Sequence, residues 1–330
     1  MAKPTIANVA ELAGVSQATV SRALRGATNV TEETRIKVQR AADQLNFTLS
    51  KSASALASGK TMRVILLVSG KLNEWFNSGV LQGVYEELAP VGYDVTPAFI
   101  TDRSELDRFF SQLPKSRNAD AIIISSFQLM PAMRDQLQAI DLPTVGVNVP
   151  AESGYFDASI SIDNSSAMTM AVRLLRSLGH TNIAFCSDYI PADMVYNTSQ
   201  RTQAFADAAQ ANATDGITFS LLTADAHDAP LSKSDLASQL TAKLLSLPER
   251  PTAVCVETDQ VAIALVKELR KQQLNVPEDI SVLGFDDAEI AQAADLSTIR
   301  QEPIELGRIA GRKVLQLLRN ERVTATVGLL

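Results

Sequence analysis

Two periodicities divide the chain. After Thr5, a capping residue, Ile6, Val9, Ala10 and Ala13 recur at i, i+3, i+4 and i+7, and Gly14 stops the run. Ser16 caps a second predicted helix, 17–24, with Val20 and Leu24 on one face and Gln17, Ser21 and Arg22 on another; Gly26 ends it. Thr31 caps a third, whose apolar stripe is Val38, Ala41, Ala42 and Leu45, with Glu32 and Glu33 at its positive end. Three short helices joined by a Gly-containing turn make an N-terminal all-α helix-turn-helix head.

From Arg63 onward apolar runs alternate with amphipathic stretches. The predicted strands are 63–69, 94–99, 121–125, 144–148, 183–187, 217–222, 253–257 and 280–284; helix-like stretches include 79–88, 165–178, 198–211, 235–247 and 260–271. Buried strands alternating with helices predict an α/β core of doubly wound parallel sheets, and this many strands predict two subdomains. Ligands of such sheets bind beyond the strand C-termini. Those ends are Ser69, Ser125, Asn148, Ser187, Glu257 and Asp286, all polar. Between head and core, residues 50–59 are small except Lys51 and Leu56, a composition that suits a plain linker and is too short for a stable isolated helix.

Charge sharpens this division. The whole chain of 330 residues has a net charge of -7, which argues against nucleic acid. Yet the first 60 residues hold eight basic and four acidic side chains, a net of +4, while the remainder holds 22 basic and 33 acidic, a net of -11. Such asymmetry points to a separate anion-binding head. No apolar run is long enough to span a membrane and the N-terminus lacks signal-peptide order, so a cytoplasmic protein is expected. Cys186 and Cys255, each inside an apolar run, read as buried small hydrophobes in a reducing compartment.

The common catalytic constellations are missing from the sequence. There is no Gly-x-Gly-x-x-Gly, no phosphate loop, no Gly-x-Ser-x-Gly elbow and no His-Glu-x-x-His. Of the two histidines, His180 stands in a Leu178-Gly179-His180 helix stop and His227 in a polar loop. Asp286-Asp287 at a strand mouth suits hydrogen bonding to polyol hydroxyls as well as proton transfer, and binding is the simpler reading. No enzyme, metal or cofactor is expected.

The stretch from Thr5 to Leu24, Thr-Ile-Ala-Asn-Val-Ala-Glu-Leu-Ala-Gly-Val-Ser-Gln-Ala-Thr-Val-Ser-Arg-Ala-Leu, resembles the DNA-binding head of LacI/GalR-type repressors. Leu178-Gly179-His180, Asp259 to Ala262, Ile280 to Asp287 and Leu296 to Gln301 resemble further motifs of that family, in its order, so the resemblance covers essentially the whole chain. It implies a head at 1–49, a hinge helix at 50–60 and a periplasmic-binding-protein-like core at 61–330, with an N-subdomain of about 62–161 and 288–320 and a C-subdomain of about 162–287 and 321–330. It implies a homodimer on near-palindromic operator DNA, associated with the nucleoid when bound. The chain stops at Leu330, several residues before a typical family ending, and no heptad tail follows, so a dimer and not a tetramer is expected.

By the same resemblance the second helix enters the major groove. Gln17, Ala18 and Arg22 would read bases, since Arg takes guanine bidentately, Gln pairs with adenine and Ala meets a thymine methyl. Thr5, Ser16, Thr19 and Ser21 would hold the backbone. Leu56 would wedge into the minor groove, with Ala53 and Ala57 as small neighbours. The family's effector cleft maps to Trp75, Phe76, Ser125, Asn148, Arg201, Thr258, Asp259 and Asp286. Trp75 and Phe76 either form a core aromatic pair or offer a face to a pyranose; Arg201 would contact effector oxygens and Asp286 accept hydroxyls. The sequence departs from the family at Asn8, usually Asp, at Leu49, usually Pro, and at Thr258, often Asn. The expected partner is a small carbohydrate; a purine corepressor is the alternative, and a sugar-processing enzyme a remote one.

Overall fold

The computed structural model describes residues 4–24, 29–47, 60–116, 118–149, 155–190, 196–226, 231–323 and 326–327. Its contacts divide the chain into two compact units, 1–62 and 63–330.

Among the described residues the first unit holds three helices, α1 (Ile6–Ala13), α2 (Gln17–Leu24) and α3 (Glu32–Gln44). Thr5 and Asn8 close a capping box: the Asn8 backbone N–H donates to Thr5 Oγ1 and the Thr5 N–H donates to Asn8 Oδ1 at 2.9 Å. Asn8 thus does the work that the more usual Asp would do. Gly14, at φ +67°, ends α1 in the left-handed region and donates to the carbonyls of Ala10 and Glu11. Ser16 caps α2, accepting from the Thr19 N–H at 3.1 Å, and Thr31 caps α3. Val9, Ala10, Val20, Ala23, Val38, Ala41 and Ala42 form the core, and Leu24 lies against it half-buried.

The second unit holds two all-parallel sheets. The first runs β11-β5-β4-β3-β1-β2, from β1 (Arg63–Ser69), β2 (Asp94–Ile100), β3 (Ala121–Ser125), β4 (Thr144–Val147), β5 (Ala158–Ser161) and β11 (Thr326–Val327). The second runs β10-β9-β8-β6-β7, from β6 (Asn182–Ser187), β7 (Thr218–Thr223), β8 (Ala253–Val256), β9 (Ser281–Asp286) and β10 (Thr298–Arg300). Helices α4 (Trp75–Leu88), α5 (Arg103–Ser116), α6 (Pro131–Ala139) and α12 (Pro303–Leu317) go with the first sheet; α7 (Asn164–Ser177), α8 (Asn197–Ala211), α9 (Lys233–Leu245), α10 (Asp259–Lys271) and α11 (Glu289–Ala293) go with the second. The two expected doubly wound sheets are therefore present.

Two of the expected subdomain boundaries differ. The chain adds β10 to the second sheet before crossing back at 301–302, so 288–300 belongs to the C-subdomain and not to the N-subdomain. At the C-terminus β11 pairs with β5 of the first sheet, so 326–327 do not return to the C-subdomain. Both strands are short edge additions whose pairing partner, not their own sequence, makes them strands. The hinge segment 50–59 with Ala53, Leu56 and Ala57, Gly26 and His227 all lie outside the described residues.

The most extensive contact between helices joins α4 and α12. It depends on glycine. A Cβ on Gly83 would stand 1.9 Å from the Ile304 carbonyl oxygen, and one on Gly307 would stand 2.3 Å from that of Val80. Cys186 and Cys255 are free thiols, fully buried, and burial raises both above the ordinary thiol range. His180 sits in its turn, Nδ1 sharing a hydrogen bond of 2.9 Å with Thr252 Oγ1.

Candidate functional site

In the head, α2 turns Val20 and Ala23 inward and leaves Gln17, Ala18 and Arg22 exposed together on the opposite side. Arg22 Nε donates to the Ala18 carbonyl at 3.2 Å, which lays the guanidinium along the helix beside Ala18. Thr5, Ser16, Thr19 and Ser21 lie at the exposed or half-exposed starts and flanks of α1 and α2, where backbone N–H groups favour anions.

In the second unit a cavity of ≈ 200 Å³ opens where the C-terminal ends of both sheets face one another. Its wall gathers strand ends (Ser69, Ser126, Asn148, Asp286) and the first turns of four helices: Trp75, Phe76 and Asn77 of α4, Asn197, Thr198 and Arg201 of α8, Lys233 of α9, and Gln260 of α10 behind its cap Thr258. Four helix N-termini around one space supply backbone donors and positive dipole ends. Backbone shape follows: Ser126 (φ +73°), Asn148 (φ +51°), Asp286 (φ +134°) and Asp287 (φ +56°) leave the pleat at the strand ends in left-handed or strained conformations.

Buried polar groups form a connected network. Arg201, only 2% exposed, donates through Nη1 to the Glu257 carbonyl at 2.7 Å and through Nε to Asn164 Oδ1 at 3.3 Å, and lies 3.8 Å over the Phe285 ring. Asn164 Nδ2 donates to Asn197 Oδ1 at 2.8 Å, and Asn197 Nδ2 in turn donates to Asn148 Oδ1. This amide chain links the second sheet's helices to the end of β4 in the first sheet. Gln301 Nε2 donates to Asp286 Oδ1 at 2.5 Å, tying the crossover segment to β9. Asn77 Nδ2 donates to the Ser69 and Lys71 carbonyls and so fixes the loop that presents Trp75.

Burial pushes the carboxyl groups of Asp286 and Glu257 up to about 7, with Arg201 pulling the other way on both. A carboxyl raised on folding makes the folded state bind more protons between its unfolded and folded values, so stability falls as pH rises through that interval. Thermal melts of the full chain should therefore show Tm decreasing between about pH 5 and about pH 8. Asp286→Asn should flatten that slope while keeping the Gln301 contact geometry; an identical slope would contradict the assignment.

Of the effector residues expected from sequence, Trp75, Phe76, Asn148, Arg201, Thr258 and Asp286 come together on the wall. Trp75 and Phe76 are half-buried there, not a closed core pair. Two do not reach it. Ser125 is fully buried and shares a hydrogen bond with Ser126, which takes the wall position. Asp259 is fully buried and braces the turn after β9, accepting from Thr298 Oγ1 at 2.6 Å and the Ala288 N–H at 2.9 Å. Sequence reading missed Tyr196, Asn197, Lys233, Gln260 and Gln301; a polar residue at the start of an amphipathic helix signals a cap, and only the topology brings these starts together. Among the described residues no cluster of His, Cys, Asp and Glu fits a metal ion, and no helix is long and apolar enough to cross a membrane.

Comparison with known proteins bears on both units. The profile described as Bacterial regulatory proteins, lacI family, matches residues 5–50, and that of the Periplasmic binding protein-like domain matches 172–329. The HTH-type transcriptional repressor PurR of Vibrio cholerae serotype O1 is 30% identical over 322 residues, covering 96% of this chain and 92% of its own. The ribose operon repressor of Lactococcus lactis subsp. lactis is 26% identical, covering 97% and 92%. Among solved structures, the lac repressor dimer bound to operator and the anti-inducer ONPF superposes with a TM-score of 0.81 at 23% identity, covering 99% of this chain and 97% of that one. With a DNA-binding head of the right profile, an effector-binding core and a 30% identical repressor aligned along nearly its whole length, the chain belongs to the LacI family of bacterial transcriptional repressors and is not an enzyme.

Proposed function

We propose that this repressor binds near-palindromic operator DNA as a homodimer and that a small carbohydrate in the core cavity sets its operator affinity. The observation that carries the reading is the cavity itself: buried Arg201 and Asp286 offer a donor and an acceptor beside Trp75, Phe76 and Tyr196, an arrangement suited to a ring with hydroxyls on its edge and an apolar face. Trp75, Phe76, Asn148, Arg201, Thr258 and Asp286 contact the ligand, while Ser125 and Asp259 hold the wall from behind. The two walls come from two sheets, so a ligand that prefers one arrangement of them shifts the population of that arrangement, and operator affinity changes by the same coupling free energy. Residues 50–60 transmit the change, with Leu56 as the minor-groove wedge beside Ala53.

In the head, Gln17, Ala18 and Arg22 read base edges and Thr5, Ser16, Thr19 and Ser21 hold phosphates. Arg22→Ala should cost about 1–3 kcal/mol of sequence discrimination while non-specific binding persists. Anisotropy titrations on the operator and on a scrambled duplex check this; an equal loss on both would place Arg22 on phosphate. Leu56→Ala should reduce operator bending and specific affinity with ligand binding unchanged, as read by the mobility of circularly permuted fragments, and an unaltered bend would remove the wedge.

A second reading keeps the mechanism and places a purine corepressor in the cavity; the 30% identity to the repressor named PurR favours it. Mobility shifts with guanine, hypoxanthine and a panel of mono- and disaccharides separate the two, since a corepressor strengthens the operator complex and an inducer releases it.

A further inference from the structure

The cavity has a neighbour. A groove of ≈ 610 Å³ lies next to it, between the N-terminal turns of α4 and α12 and the end of the second sheet. The two spaces share Trp75 and Gln301 as their common wall. Each of these residues has a feature that its present contacts leave unused. Trp75 is half-buried, with the 200 Å³ cavity and the groove both bounded by its indole. Gln301 is 4% exposed, and while its Nε2 donates to Asp286, its Oε1 is buried without a hydrogen-bond partner. A buried acceptor left unsatisfied is unfavourable, and a hydroxyl donor placed at this junction would relieve it.

The outer groove carries the right chemistry for more of the same ligand. Ser78, Gln82, Gln292 and Glu302 offer hydroxyl, amide and carboxylate groups around the indole, and its arginines are already engaged: Arg300 pairs with Asp287 at 2.6 Å and Arg308 with Glu86 at 2.7 Å. That disfavours an anionic occupant, because both cations are neutralised. It suits a neutral polyol ring laid against an aromatic surface, as does the inner cavity.

We infer that the groove is a second sugar subsite and that the effector is a disaccharide or longer saccharide, one ring in the inner cavity and the next against the outer side of Trp75, with a hydroxyl near the linkage donating to Gln301 Oε1. The inference rests on the saccharide reading above. Since Trp75 is the only tryptophan of the chain, its fluorescence reports on both subsites.

The test titrates the full-length protein with glucose, galactose and mannose, and with their α- and β-1,4-linked disaccharides, by fluorescence and calorimetry. At least one disaccharide should bind ten-fold or more tighter than its parent monosaccharide. The double substitution Gln292→Ala with Glu302→Ala should return that disaccharide to monosaccharide affinity and leave the monosaccharide unchanged. Equal affinity for a monosaccharide and its disaccharides, or a double variant that weakens both alike, overturns the second subsite and spares the sugar reading. No response to any member of the panel overturns both.

Discussion

Arg201→Ala is expected to abolish the response of operator binding to effector while the effector-free protein still binds its operator. The guanidinium is buried among Asp286, Asp259 and Glu257 and donates to the Glu257 carbonyl and to Asn164. Removing it takes a donor from the cavity wall and releases the Asn164 end of the amide chain that reaches Asn148 through Asn197. It also removes a buried cation that favours the charged forms of Asp286 and Glu257, leaving Lys233 near Glu257, and this costs stability. Part of this is recovered here because Asp286 and Glu257 protonate near neutrality instead of remaining charged. The loss of stability should therefore be smaller below about pH 6 than above it. Calorimetric titration with the effector and a mobility shift on the operator, run on the same preparation, separate the two consequences. Wild-type effector affinity in the variant would show that Arg201 is structural only.

Gly83→Ala is expected to be the most destabilising small change in the core. Alanine gains about 1 kcal/mol over glycine in helix propensity, which alone would stabilise α4. Against that, the added methyl would stand 1.9 Å from the Ile304 carbonyl oxygen and 2.7 Å from the Arg308 nitrogen, both backbone atoms that no rotamer change removes. Helices α4 and α12 must then separate, undoing the tightest contact of the first sheet's outer layer. Overpacking usually costs about 1–3 kcal/mol, and a clash with backbone belongs at or above the top of that range. At roughly 2–4 °C per kcal/mol, Tm should fall on the order of 10 °C. An unchanged Tm would mean that the two helices are not held this closely. Because Trp75 begins α4 and Pro303 begins α12, the variant should also weaken saccharide binding, as the groove between them changes shape.

Much of this fold is legible in the sequence because its signals are local. The head follows from caps and stripes: Thr5, Ser16 and Thr31 each precede a helical run, and Val20 and Val38 are fully buried where the stripes place them. The inner strands are continuous apolar runs such as Ala121–Ser125, which only a sheet covered on both faces makes. What escapes is decided by partners. Strands β5 and β10 are short and partly polar, and α12 has its apolar stripe interrupted by Gly307 and Gly311, whose role is to let α4 approach. The misplaced crossover at 287/288 has the same origin, since β10 is a strand only because β9 is beside it.

The site divides in the same way. Asp286 is legible from a family-like contiguous motif, Ile280 to Asp287, while Trp75 follows the first predicted strand and Arg201 rests on its match to a family arginine. Ser125 was displaced by its neighbour because the chain turns left-handed at Ser126, and a one-residue step at a strand end exchanges the inward and outward side chains. Lys233 leaves no local trace, and the family-like motif that ends at Gln301 does not mark it as a wall residue; the two reach the wall from a helix start and a crossover far apart in sequence. The acidic total is likewise a sum over parts with different tasks, as only the head carries net positive charge. The salt dependence of specific affinity should accordingly be set by the phosphate contacts of the head, since few cations beyond it contribute to phosphate neutralisation.

In the proposed function, operator recognition by the head responds to ligand occupancy in the core. Footprinting of the full-length protein on the DNA upstream of its own gene, with and without the saccharide selected by titration, tests it most directly. One protected near-palindrome is expected, with a protection midpoint that shifts when the saccharide is added and does not shift in Arg201→Ala. No protected near-palindrome, or one indifferent to every ligand that the core binds, would contradict it.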